Sequence, residues 1–291
     1  MGGVHAAIMS DEALKHVDVV VKGEGELSML KIVHENIDHG IIQSPFIKNI
    51  DEIPPPALHL MDINFYLSPK EIIYGKNIRA GSIITSRACP FRCIFCYNRW
   101  RDTPVRYHSP ERVIEEIKIW IDNYQVKGVF FFDDSFLTKK NRLVEICELI
   151  KENGLHEEIV WQCQARVDQV DLEKLKMIKD AGCIQVGFGF ESGSQRILSI
   201  LKNKTTTVEQ NKKAIELCKK EGLSVLGSFM IGNPTETIED LKKTEQFICE
   251  NDIDFRTTPF PGTKLWDWCQ SRGLIKEPYD ITAVRIIRDL M

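Results

Sequence analysis

Trp161-Gln162-Cys163-Gln164-Ala165-Arg166 alternates without a break. Gln162, Gln164 and Arg166 fall on one face of an extended strand, and Trp161, Cys163 and Ala165 on the other. Residues 253–258 repeat the pattern, with Asp254, Arg256 and Thr258 opposite Ile253 and Phe255. In an open α/β sheet helices cover both faces, and a buried polar row is costly. A barrel that encloses a ligand can turn one polar row per strand into its lumen. The alternation favours a barrel over an open doubly wound sheet, or over edge strands with one wet face.

Outward from these stretches the chain alternates short apolar runs with amphipathic ones. Strands are expected at 81–86, 128–132, 159–165, 184–190, 224–230 and 253–258, and helices at 110–123, 139–153, 171–181, 207–221 and 237–251. Ser109-Pro110 supplies a cap and a first-turn proline, while Asn153-Gly154 and Glu221-Gly222 supply C-terminal glycines. Strand–helix alternation implies parallel strands with right-handed crossovers. Six such units predict an α/β fold with a partial (β/α)6 TIM-like barrel.

Composition narrows the function classes. The chain has 291 residues, 43% of them hydrophobic and 27% charged, which is ordinary for a globular protein. A net charge of −4 gives no global basic field for nucleic acid. No apolar run approaches the ~18 residues of a membrane span, and the N-terminus has no secretory pattern. The nine cysteines are an odd number, which argues for reduced thiols and a cytoplasmic setting rather than a disulfide framework. Six of them, Cys147, Cys163, Cys183, Cys218, Cys249 and Cys269, stand singly and read as small buried hydrophobes.

The other three lie together in Ser86-Arg87-Ala88-Cys89-Pro90-Phe91-Arg92-Cys93-Ile94-Phe95-Cys96-Tyr97-Asn98, spaced C-x3-C-x2-C directly after the first strand. Three readings are open. Structural zinc wants a fourth protein ligand, and the nearest candidates, Cys147 and His108, are not at a pairing distance in sequence. A ferredoxin-type carrier also wants a fourth cysteine. A [4Fe-4S] cluster on three thiolates leaves one iron for a small molecule.

With aromatic Phe95 before the last cysteine, the segment resembles the signature of radical S-adenosylmethionine enzymes. The resemblance spans residues 1–265 and implies a [4Fe-4S] cluster on Cys89, Cys93 and Cys96 with S-adenosylmethionine on the open iron. It implies reductive cleavage of S-adenosylmethionine to a 5′-deoxyadenosyl radical, which abstracts hydrogen from an organic substrate, with electrons from a carrier such as flavodoxin or ferredoxin. Cofactor-binding residues follow from the same resemblance. Asp133 or Asp134, at the end of the second strand, would hold the methionyl ammonium. Arg166 would pair with the methionyl carboxylate. Gly187, Gly189 and Glu191 would form the cofactor-binding face of the fourth strand, with Glu191 accepting from ribose. Phe95 and the turn at Met230 would lie against the cofactor, Met230 beside adenine. The turn Pro259-Phe260-Pro261-Gly262-Thr263 resembles one at the lip of the barrel.

Gly2-Gly3-Val4-His5 and Val17-Asp18-Val19-Val20-Val21-Lys22-Gly23-Glu24-Gly25-Glu26 resemble the last third of a Rossmann-like cobalamin-binding domain, which precedes the radical core in a subgroup containing methylases and an anaerobic porphyrin cyclase. The cobalt-ligating D-x-H-x-x-G segment of that domain is not found, so the resemblance implies a truncated remnant, and cobalamin only if the missing part is present. The expected division is 1–50 remnant, 51–78 linker around Pro54-Pro55-Pro56, 79–265 radical core and 266–291 shortened tail. The remnant should lean on the barrel or be poorly ordered. The rival from another class is a nonenzymatic metal- or cluster-binding module.

Overall fold

A computed structural model describes residues 1–67, 70–73, 76–96, 103–233, 235–252 and 254–256. Six parallel strands form its main sheet: β1 (Ala80–Ile83), β2 (Gly128–Phe131), β3 (Val160–Ala165), β4 (Cys183–Glu191), β5 (Ser224–Phe229) and β6 (Asp254–Arg256). Each pairs in parallel with the next in the chain. A doubly wound sheet reverses its strand order at a switch point. This one runs in a single direction, with β1 and β6 at its edges, and is therefore the wall of a partial barrel.

Helices α1 (Pro110–Tyr124), α2 (Lys140–Glu152), α3 (Leu172–Asp180), α4 (Val208–Lys220) and α5 (Ile238–Asn251) return the chain between strands. Their starts are chemically marked. Ser109 accepts from the Arg112 amide with Pro110 in the first turn, Asp171 accepts from Lys174, and Thr207 and Thr237 form capping boxes with Gln210 and Asp240. Gly154 and Gly222 take the left-handed conformation expected at helix ends. A further helix, Gln195–Leu201, follows β4 and was not expected from sequence.

The two faces of β3 separate as its alternation requires. Trp161, Cys163 and Ala165 join one core with Phe131, Val186, Phe188 and Phe190 and with the apolar stripes of the helices. Trp161 is fully buried and meets Phe131 and Phe136 edge-on, while its indole N–H donates to the Ala181 carbonyl at 2.7 Å. Cys147, Cys163, Cys183 and Cys218 are buried in this layer as small hydrophobes; Cys249 is exposed. On the opposite face Ala80 and Phe130 close the floor of the lumen with Ile78, Val160 and Ile184. Above them stand the buried amides Gln162 and Gln185, then Gln164 and Arg166.

At the N-terminus Val19–Lys22 pairs in parallel with Gly40–Gln43, with helix Gly25–Glu35 between them. The cluster of Ala6, Ala13 and Val20 under it is small. Of the two alternatives expected for this unit, leaning on the barrel is the one seen: it is tied there by ion pairs (below). The proline stretch after it is anchored too, since Asp51 accepts from the Ser109 amide and lies 2.8 Å from His108 Nδ1. Thr258, the turn 259–263, Cys269 and the tail 266–291 lie outside the described residues.

Candidate functional site

Two residues beyond β1 the chain forms a short antiparallel ribbon, Ser86–Arg87 with Arg106–Tyr107. The segment after Arg87, which carries Cys89, Cys93 and Cys96, springs from the C-terminal end of the first strand, where parallel-barrel sites form. Ala88, before the first cysteine, sits at φ 71°, a left-handed conformation unusual for a side-chain-bearing residue. The loop is pinned from inside by Ile94, whose amide donates to the Leu201 carbonyl at 2.9 Å. Cys93 is buried, while Cys89 and Cys96 are half-buried. Burial lifts the Cys89 thiol above its usual range against a hydrogen bond from the Phe91 backbone, and the charges of Asp134, Cys96 and Cys93 add to the rise.

Among the described residues no three His, Cys, Asp or Glu side chains close on a point in the manner of a single metal ion. A structural zinc takes four protein ligands, one more than this segment supplies in cysteines. The two sequence candidates for a fourth ligand are engaged elsewhere: His108 faces Asp51, and Cys147 lies in the core. Three soft thiolates on one looped segment fit an iron–sulfur cluster.

Arg166 lies beneath this loop. Its guanidinium stacks on the Phe91 ring at 3.7 Å and donates to Asp168 through Nε at 3.0 Å and Nη2 at 2.8 Å. Nη2 also reaches Thr205 Oγ1, and Nη1 points at Cys93 Sγ, 3.4 Å away. Burial alone would lower this group, and the charges of Asp168, Cys93 and Cys89 raise it. Asp168, two residues on, occupies one side of the guanidinium fork, and Nη1 faces Cys93 Sγ.

The two neighbouring acids at the end of β2 differ. Asp133 is buried and accepts from the Thr85 amide and hydroxyl and from the Ser86 hydroxyl; burial raises its carboxyl, and those bonds oppose the rise. It fastens β2 to the foot of the cysteine loop. Asp134 is exposed, and its charge reaches Cys89.

On β4 a side chain at Gly187 would collide with the Gln164 amide, and one at Gly189 with the Glu191 carboxylate. The room those glycines leave is filled by the ends of flexible neighbours, not by open space. Glu191 stands at a register shift in β4 with φ 63° and accepts from Lys202 at 2.8 Å, both side chains buried. Lys202 also lies over the ring of Phe95, itself 41% exposed. Met230 is half-buried, its amide donating to the Glu191 carbonyl at 2.9 Å.

Sequence reasoning left Lys202, Asp168 and Phe91 without roles. Lys202 had no signal, being one of two lysines in a polar stretch, and Asp168 shows itself only once Arg166 is placed.

Comparisons with known proteins bear on this geometry. A family model described as the Radical SAM superfamily matches residues 83–248. An uncharacterized methyltransferase of Pyrococcus horikoshii is 35% identical, with 94% of this chain and 63% of that protein covered. The anaerobic magnesium-protoporphyrin IX monomethyl ester cyclase of Rubrivivax gelatinosus is 28% identical, with 100% of this chain and 56% of the cyclase covered. Among solved structures, the cobalamin-dependent S-adenosylmethionine radical enzyme OxsB with aqua-cobalamin and S-adenosylmethionine bound gives a TM-score of 0.70 at 20% identity, over 94% of this chain and 42% of that one. That likeness is one of fold. The chain spans 56–63% of the length of the two relatives by sequence.

Proposed function

The chain belongs to the radical SAM superfamily, and from that membership we propose that it cleaves S-adenosylmethionine reductively and uses the product to activate an organic substrate. The cofactors are those of the superfamily, a [4Fe-4S] cluster and S-adenosylmethionine. When bound, the cluster, reduced by an external carrier, would supply the one electron needed to split a carbon–sulfur bond of S-adenosylmethionine into methionine and a 5′-deoxyadenosyl radical for hydrogen abstraction.

The observation that carries this reading is the loop of three thiols at the C-terminal mouth of the barrel wall. Cys89, Cys93 and Cys96 would hold the cluster. Asp133 or Asp134 would hold the methionyl ammonium; Asp133 is bonded to Thr85 and Ser86, and the charge of Asp134 reaches Cys89. Arg166 would steady Cys93 and present positive charge beneath the cluster. Gly187, Gly189 and the Glu191–Lys202 pair would line the cofactor, with Gln164 and Glu191 moving aside for it, and Phe95 and Met230 at its edges. The apolar floor of the lumen excludes water from below.

The methyltransferase and cyclase relatives support methyl transfer or oxidative cyclisation in the longer protein. Residues 1–50 would then be the end of a cobalamin-binding domain, 51–78 a connector, 79–265 the radical core and 266–291 a tail, with cobalamin bound only when the rest of that domain is present. Electrons would come from a small carrier such as flavodoxin or ferredoxin. The free thiols suit the reducing cytoplasm; among the described residues no helix is long and apolar enough to cross a membrane.

Anaerobic reconstitution of the full chain tests the reading. It should bind about four irons and release 5′-deoxyadenosine on reduction with S-adenosylmethionine. The Cys89→Ala, Cys93→Ala, Cys96→Ala variant should do neither, and deoxyadenosine from that variant would overturn the assignment.

A further inference from the structure

Glu24 and Arg106 are each 8% exposed, are 82 residues apart, and play no part in the chemistry above. Arg106 grips Glu24 with both ends of its fork, Nη1 to Oε2 at 3.0 Å and Nη2 to Oε1 at 2.6 Å, and spends its remaining Nη1 contact on the Ile47 carbonyl at 2.6 Å. The Ile47 amide returns to Glu24 Oε2 at 2.8 Å. Burial would raise the Glu24 carboxyl, but Arg106, the Ile47 amide and Arg87 hold it below its usual range. Arg87 lies between two acids, 3.4 Å from Glu24 and hydrogen-bonded to Glu26. Two acids from Gly23-Glu24-Gly25-Glu26 thus meet two arginines that face each other across the ribbon at the foot of the cysteine loop.

That ribbon is two residues long on each side, and a two-stranded hairpin is marginal alone in water. It is held from the barrel side by Asp133 on Thr85 and Ser86, and by Arg142, which donates to the Thr85 and His108 carbonyls. Neither residue touches Arg87 or Arg106 in these bonds. The acids of the N-terminal unit supply the restraint on the other flank.

We propose that Glu24 and Glu26 are positioning residues for the cluster: through Arg106 and Arg87 they fix the ribbon and so the spacing of Cys89, Cys93 and Cys96. A unit outside the barrel wall thereby controls how firmly the cluster is held. The proposal rests on the reading that these cysteines carry the cluster.

The test uses the full chain with Glu24→Gln, which keeps the shape and removes the charge, and Glu26→Gln as a half-exposed second variant should the first fail to fold. In the apo protein, amide hydrogen exchange at residues 86–96 and 106–107 should quicken by about tenfold in Glu24→Gln and by less in Glu26→Gln. Exchange in β3 and β4 should stay as in wild type. After reconstitution, loss of the visible cluster absorbance to a chelator should quicken in the same order, and Glu24→Asp should recover part of both effects. If the acids only glue the N-terminal unit to the barrel, exchange will rise within residues 1–50 but the loop and chelator rates will match wild type, and the proposal falls. The triple alanine variant separates the two readings: iron retained there overturns the ligand assignment, while apo exchange still decides the clamp.

Discussion

The barrel wall and the cysteine loop are held in different ways. The wall is a layer of apolar side chains, Trp161, Phe131, Phe188 and Phe190 among them, pressed between strands and helices. The loop leaves that layer within two residues of β1 and is held by charges that arrive from far along the chain: Glu24 and Glu26 on its arginines, Asp133 and Arg142 at its foot, Arg166 under Cys93. Apolar burial scales with area and tolerates little loss of volume. A charged network depends on every partner being present. The fold therefore makes its scaffold from the first and hangs its reactive segment on the second.

The largest effect should come from the wall. Trp161→Ala removes a fully buried ring and its hydrogen bond, and should lower unfolding free energy by about 3–5 kcal/mol in chemical denaturation. If stability held and only the loop loosened, the division drawn here would break. Thiol labelling sharpens the same contrast. Burial pushes Cys147 and Cys218 up to about 12. Buried thiols are shielded from reagent as well as kept neutral, so at pH 8 alkylation of the apo chain should reach the half-buried Cys89 and Cys96 faster than the buried Cys147 or Cys218. The gap should narrow as pH rises toward 12; equal rates by peptide mass spectrometry would contradict the burial.

Smaller effects test the packing around the wall. A methyl on Gly81 would lie 2.5 Å from the Trp120 ring, so Gly81→Ala should cost about 1–3 kcal/mol by overpacking, seen as a lower denaturation midpoint. Thr237→Ala removes the cap of α5 and should cost about 1 kcal/mol, with no change in cluster loading.

The same contrast explains what could be read in the sequence. Apolar periodicity is local, so all six strands and the five long helices could be placed within a few residues, and the polar row of β3 already favoured a barrel. The strand order then separated barrel from open sheet, because order is a property of pairing and not of spacing. The cysteine motif was legible because its chemistry lies in eight neighbouring residues. Pairs separated by dozens of residues left no local trace. Asp133 and Asp134 looked equivalent until Thr85 and Ser86 were seen to claim the first, and the Asp168 partner of Arg166 shows only in the fold. Glu24 and Glu26 stood in a quoted stretch with no role, for their partners lie beyond residue 86.

Radical chemistry at this site requires a cluster iron without a protein ligand. Electron paramagnetic resonance of the reduced, reconstituted full chain, recorded before and after addition of S-adenosylmethionine, addresses that directly. The expected result is a [4Fe-4S] signal whose line shape changes when S-adenosylmethionine binds and which is lost with Cys93→Ala. A signal indifferent to S-adenosylmethionine would mean that the fourth iron is already taken, and would contradict radical chemistry at this site.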